Sequence, residues 1–160
     1  LPALSCGEKN TVYAAPPDNT FLQWVRHGGS DTLTEHKATN NSAHLRRIMA
    51  ALKDGQGKDD LSEELRPKSG FKNTYAKLWW EKPATTITRN FACPSSSRCI
   101  HPRDSRALTI REGARLQSFP DNYQFYGSDC LKRLEIGDAV PPLLSMALAE
   151  QMLKALNAEK

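Results

Sequence analysis

Thr109 and Glu112 stand three residues apart at the head of the run IREGARLQSF, which stops at Pro120. That spacing is restrictive. In a T-x-x-E capping box the hydroxyl accepts the backbone N–H of the third helical residue, and the carboxylate accepts the backbone N–H of the cap. Proline cannot continue a helix. A helix is therefore predicted over 110–118, with Arg111 and Arg115 on one face because they lie four apart. Ile136 to Val140 read as a turn ahead of Pro141-Pro142. Leu144, Ala147, Leu148, Met152, Ala155 and Leu156 then recur at helical spacing, so the chain closes with an amphipathic helix.

The preceding residues read as short elements. Phe21 to Arg26 form a brief helix ended by Gly28-Gly29. Asn41 or Ser42 caps a better one, in which Leu45, Ile48, Met49 and Leu52 make an apolar stripe and Gly55 suits the end. Arg46 and Arg47 fall off that stripe, on a solvated face, and His36 reads as solvated or capping. Residues 54–72 read as a surface loop with one helical turn at Leu61 to Leu65. Tyr75 to Trp80 and Ala84 to Phe91 read as strands joined by Glu81-Lys82-Pro83, which predicts a β-hairpin. Cys93 to His101 follow as a serine-rich loop. The fold class is α+β.

A chain of 160 residues builds one sizeable core or two small lobes sharing one. The net charge of +4 permits an anionic partner without demanding one. No apolar run approaches the ~18 residues of a membrane span, and the N-terminus lacks the pattern of a secretory signal. The first residue is Leu, not Met, which reads as a fragment or a processed chain. Cys93, Cys99 and His101 make C-x5-C-x-H, which is not a common zinc spacing, so reduced thiols in a cytosolic protein are expected and no metal.

Arg106 to Asp121 match every fixed position of R-x-L-T-x-R-E-x-A-R-L-Q-x-F-P-D. Glu135 to Pro142 match Q-I-G-N-A-V-P-P with two changes, Glu135 for Gln and Asp138 for Asn. Trp80 to Thr88 match W-[DE]-K-P-x-x-T-I-T. In this order and at this gap, the three stretches resemble the ninth and tenth motifs of the DNA (cytosine-5)-methyltransferases and the segment before them.

The resemblance implies a target-recognition domain over 1–105, a small mixed domain with a β-hairpin and short helices. Residues 106–160 would carry the two motifs and a C-terminal helix packed on a Rossmann-like catalytic domain outside this chain. Thr86 and Ile87 match the pair that supports the flipped base, and Arg89, Arg98 and Arg103 are candidate DNA contacts. Gly137, Asp138, Ala139 and Val140 would line a pocket for S-adenosyl-L-methionine. Arg106, Thr109, Arg111, Glu112 and Arg115 would be structural, although phosphate contact is the sharper alternative for the arginines. Double-stranded DNA is the implied partner, in the bacterial cytoplasm at the nucleoid.

The reaction also needs a cysteine thiolate, a carboxylate at cytosine N3 and a glycine-rich turn for the cofactor. The family's F-x-G-x-G, P-C-Q, E-N-V and Q-x-R-x-R motifs do not occur here, and Cys93 precedes a proline instead of following one. No catalytic residue is therefore assigned. The chain reads as the C-terminal part of such an enzyme, inactive alone and completed by an N-terminal catalytic part from the same gene or a separate subunit. The alternative is a non-catalytic DNA-binding or assembly module, degenerate or one half of a split enzyme.

Overall fold

Helix α3 (Ile110–Leu116) starts where the capping box predicts. The Thr109 hydroxyl accepts the Glu112 N–H at 3.2 Å, and the Glu112 carboxylate accepts the Thr109 N–H at 2.8 Å. The helix stops short of Ser118, which takes a φ of +61° and breaks the run before Pro120. Ser118 is buried and fully used. Its carbonyl accepts the Trp24 indole N–H at 3.3 Å, and its hydroxyl accepts the backbone N–H of Leu143 at 3.1 Å.

The structure is a computed structural model and describes residues 1–29, 31–68 and 71–158. Asn19 caps α1 (Thr20–Arg26), and Ser42 caps α2 (Ala43–Ala51). The turn expected at Leu61 to Leu65 forms: the Ser62 carbonyl accepts the N–H groups of Leu65 at 3.1 Å and Arg66 at 3.0 Å. A 3-10 turn forms at Lys58–Asp60, and Leu61 is buried with Ile48, Met49, Leu52 and Ile100. The first half of the expected 54–72 loop is thus pinned to a small core under α2; its positions 69 and 70 lie outside the described residues.

The expected hairpin does not form. Strand β1 (Ala76–Lys77) pairs in parallel with β2 (Arg98–Ile100), and Ala84 to Phe91 belong to the connection between them. Parallel neighbours need a crossover, and the 81–97 segment supplies it. Ile87 and Phe91 enter the main core with Leu78, Leu108, Ile110, Ala114, Phe119, Phe125 and Ile136, while Thr86 and Thr88 stay exposed. The β-branched run that reads as a strand buries Ile87 in the core instead of joining a ladder. That is consistent with β-propensity as a measure of fit to a half-buried surface.

Helix α4 (Asp129–Asp138), capped by Ser128, takes the place of the expected turn, and Gly137 lies in its last turn. Its sequence shows no apolar stripe, and Ile136 is its one buried residue. Helices α3 and α4 pack together. Helix α5 (Pro142–Ala158) follows, and every residue from 144 to 158 is exposed. No helix among the described residues is long and apolar enough to cross a membrane.

Around α3 three arginines are buried and engaged. Arg106 donates to both carboxylate oxygens of Glu112 at 2.8 Å, to Asp104 at 2.7 Å and to the Leu4 carbonyl at 3.0 Å. Arg111 donates to the Thr34 carbonyl at 3.0 Å and hydroxyl at 2.7 Å. Arg115 grips Asp121 at 3.0 and 2.5 Å. His36, expected in solvent, is fully buried: its Nδ1 lies 3.1 Å from the Thr109 hydroxyl and its Nε2 2.8 Å from the Pro2 carbonyl. A carbonyl only accepts, so the proton sits on Nε2 and Nδ1 accepts from Thr109. The cap is thereby closed from behind by the N-terminal segment.

Burial pushes the Glu112 carboxyl up, but the Arg106 hydrogen bonds and charge, with the Thr109 N–H, outweigh it and hold the group down at about 2 against an ordinary 4.5. A depressed carboxylate stabilises the fold above its unfolded pKa and loses that contribution as pH falls toward the folded value. The effect is on the order of 3 kcal/mol at neutral pH. Urea denaturation should therefore show stability dropping between about pH 5 and pH 2. Glu112→Gln should lower stability at neutral pH and flatten part of that drop; an unchanged acid limb would contradict this account.

Candidate functional site

The 84–92 segment and the end of α4 meet backbone to backbone. A Cβ added at Gly137 would lie 2.3 Å from the Arg89 nitrogen and 2.6 Å from both the Arg89 Cα and the Thr88 carbonyl carbon. The two elements touch as they do because residue 137 has no side chain. The close approach that glycine allows here is to the chain's own loop. Gly113 has the same use: a Cβ there would lie 2.2 Å from the Phe91 ring. The loop is thus laid across α3 and α4 at two glycines.

This contact brings two groups of sequence-assigned residues together. Arg89 donates its Nε to an Asp138 carboxylate oxygen at 2.6 Å, with the two side chains 63% and 52% exposed. Thr86 and Ile87 separate: the threonine faces out, and the isoleucine fills the main core. Ala139 packs partly buried against the same core, and Val140 is exposed. Arg89 and Asp138 therefore meet at the surface, while Thr86 and Val140 are exposed nearby in sequence.

Arg98 and Arg103 are not part of it. The Arg98 guanidinium donates to the carbonyls of Gly55 and Lys77 and lies 4.2 Å over the Trp79 ring, so it ties β1 to β2 and to the end of the α2 loop. Arg103 is exposed and stacks 3.5 Å over Trp80, a cation–π contact. It stands at a separate cleft of about 610 Å³, also lined by Phe21, Lys82, His101 and Glu112. Among the described residues no group of three or more His, Cys, Asp or Glu side chains is placed to hold a metal ion.

Sequence reasoning named Arg89 and Asp138 but not their pairing, since residues 49 apart carry no local signal. Gly113 was legible in principle: an isolated glycine inside a capped helix commonly marks close packing. Gly137→Ala offers a test of the contact. In a free helix the change would gain about 1 kcal/mol. Here the added carbon should reverse the sign and cost roughly 1–3 kcal/mol, seen as a lower urea midpoint; a raised midpoint would show that the loop does not sit there.

The sequence matches the family described as C-5 cytosine-specific DNA methylase over residues 18–154. Type II methyltransferase M1.HphI of Haemophilus parahaemolyticus is 37% identical over 127 residues, a span covering 79% of this chain and 33% of that protein. Type II methyltransferase M.DdeI of Desulfomicrobium norvegicum is 36% identical over 172 residues, covering 95% and 40%. DNA (cytosine-5)-methyltransferase 4 of Arabidopsis thaliana is 32% identical over 181 residues, covering 98% and 12%. The chain thus spans less than half the length of each. Among solved structures, a prophage-encoded E. coli protein described as a candidate DNA modification methyltransferase superposes with a TM-score of 0.62. The match covers 98% of this chain and 45% of that one at 20% identity, a likeness of fold alone. With a family match extending across most of its length, this chain belongs to the C-5 cytosine-specific DNA methylases.

Proposed function

We propose that this chain supplies DNA recognition and one wall of the cofactor cleft to an S-adenosylmethionine-dependent DNA cytosine C5-methyltransferase, and that it transfers no methyl group alone. The observation that carries the reading is the contact at Gly137, which sets the exposed Arg89 against Asp138 and so joins the segment that holds Thr86 to the one that holds Val140. On this reading residues 1–105 recognise the duplex and 106–160 join that part to the catalytic one. Thr86 and Arg89 meet the backbone near the extruded base, and Arg103, held by Trp80, meets it from the neighbouring cleft. Arg98, spent on two carbonyls, serves the fold instead.

S-adenosylmethionine supplies the methyl group when bound. Gly137 faces the chain's own loop, which leaves Asp138 to Val140 as the part of this segment that fits the cofactor. The Asp138 carboxylate suits an ammonium, and Val140 offers exposed apolar surface. The thiolate comes from other residues, since the four cysteines follow Ser5, Ala92, Arg98 and Asp129 and never a proline. An N-terminal catalytic part, from the same gene or a separate subunit, covers α5, whose Leu144, Leu148, Met152 and Leu156 are 51–67% exposed. Such work places the protein with DNA in the bacterial cytoplasm. A second reading, a non-catalytic DNA-binding or assembly module, draws on the Arg89–Asp138 pair, because that carboxylate is engaged within the chain.

The test is complementation. The chain is mixed with the N-terminal part of a relative such as M.DdeI, duplex DNA and tritiated S-adenosylmethionine. Label should enter DNA in the mixture and not with either part alone. Leu148→Asp combined with Met152→Asp should abolish incorporation while leaving the circular dichroism of the free chain unchanged. An inert mixture would favour the non-catalytic module.

A further inference from the structure

We propose that Asp138 attenuates DNA binding: it holds the Arg89 guanidinium at the end of α4, and a duplex phosphate competes with it for that guanidinium. The inference rests on the DNA-recognition reading above and deepens it by naming what sets the affinity.

Three observations support it. The Arg89 Nε and the Asp138 carboxylate are 2.6 Å apart, yet both side chains are more than half exposed, so a polyanion has access to them. Their backbones are fixed side by side, because residue 137 lies against the Arg89 nitrogen and Cα. The two side chains therefore start from adjoining rigid positions, and holding them together costs little conformational freedom. Finally, among the described residues only the Nε of Arg89 is engaged, and both terminal nitrogens lack a protein acceptor. A guanidinium takes phosphate through its paired donors.

The magnitudes decide what the pair does. An exposed ion pair is too weak to withhold an arginine from DNA altogether, but it biases the exchange by about two- to five-fold. While paired, Arg89 carries no net charge toward the duplex. Once Asp138 is neutralised, Arg89 becomes one more phosphate-binding cation, and each such cation steepens the salt dependence of log K by about 0.9. The same exchange releases the Asp138 carboxylate on the side where the cofactor ammonium is proposed to lie.

The experiment is a double-mutant cycle on the full chain, read by fluorescence anisotropy with a labelled mixed-sequence duplex over a salt series. Asp138→Asn, which installs the amide of the family motif, should tighten binding about two- to five-fold and steepen the salt slope by a part of the ~0.9 that one full phosphate contact contributes. In the Arg89→Gln background the same change should do neither. Asp138→Ser repeats the measurement without an amide. Equal gains in both backgrounds would reduce the effect to removal of a negative charge and overturn the proposal. Weaker binding by Asp138→Asn would mean that the carboxylate presents Arg89 to phosphate, and would also overturn it. If none of the proteins binds DNA with a salt-dependent affinity, the DNA-recognition reading itself fails.

Discussion

A guanidinium taken out of water costs several kcal/mol unless carboxylates and carbonyls surround it, and this chain buries three around one short helix. Arg106 requires Glu112, Asp104 and the Leu4 carbonyl; Arg111 requires Thr34; Arg115 requires Asp121. Leu4 and Thr34 lie far back in the chain, so the N-terminal segments must wrap α3 for its charges to be met. Glu112 is shared between two tasks. One carboxylate caps the helix and neutralises Arg106, so the start of α3 and the placement of the N-terminus depend on each other. A misdocked arrangement would strand a buried charge, which is a strong reason for the parts to find a single arrangement.

The legible parts of the fold were those decided locally. Ser42 and Thr109 cap their helices within three residues, and the stripe through Leu45, Ile48 and Met49 needs no distant partner. The parts decided at a distance were misread. The Thr85 to Thr88 run looks like a strand because it is β-branched at four successive positions. Whether it finds a ladder depends on β1, which pairs with Arg98 and Ile100 across a crossover. His36 looks like a surface histidine because nothing near it in sequence announces the Thr109 hydroxyl 73 residues on. Helix α4 lacks a stripe because little more than Ile136 goes inside.

The site was half legible for the same reason. The resemblance to the methyltransferase motifs brought Thr86, Gly137 and Asp138 to notice, with Arg89 as a flanking cation; of these, Arg89, Gly137 and Asp138 come together. Their meeting is a tertiary fact. With Phe91 seated over Gly113 and the Thr88–Arg89 backbone over Gly137, the loop is held from beneath by contacts that leave its outer side chains alone. Exposed positions such as Thr86 and Asn90 can therefore vary without unseating the segment. On the proposed DNA-recognition reading, the outer residues are free to vary on a constant support.

The Ser118 hydroxyl takes on another meaning once the length of α5 is considered. Seventeen residues make a rod of about 25 Å, and beyond Leu143 none of them is buried. The rod is pinned near its root by one serine on a left-handed bend. A rotation of one degree at that pin carries the far end roughly 0.4 Å. Small adjustments at residue 118 would thus be magnified along the rod toward its exposed far end.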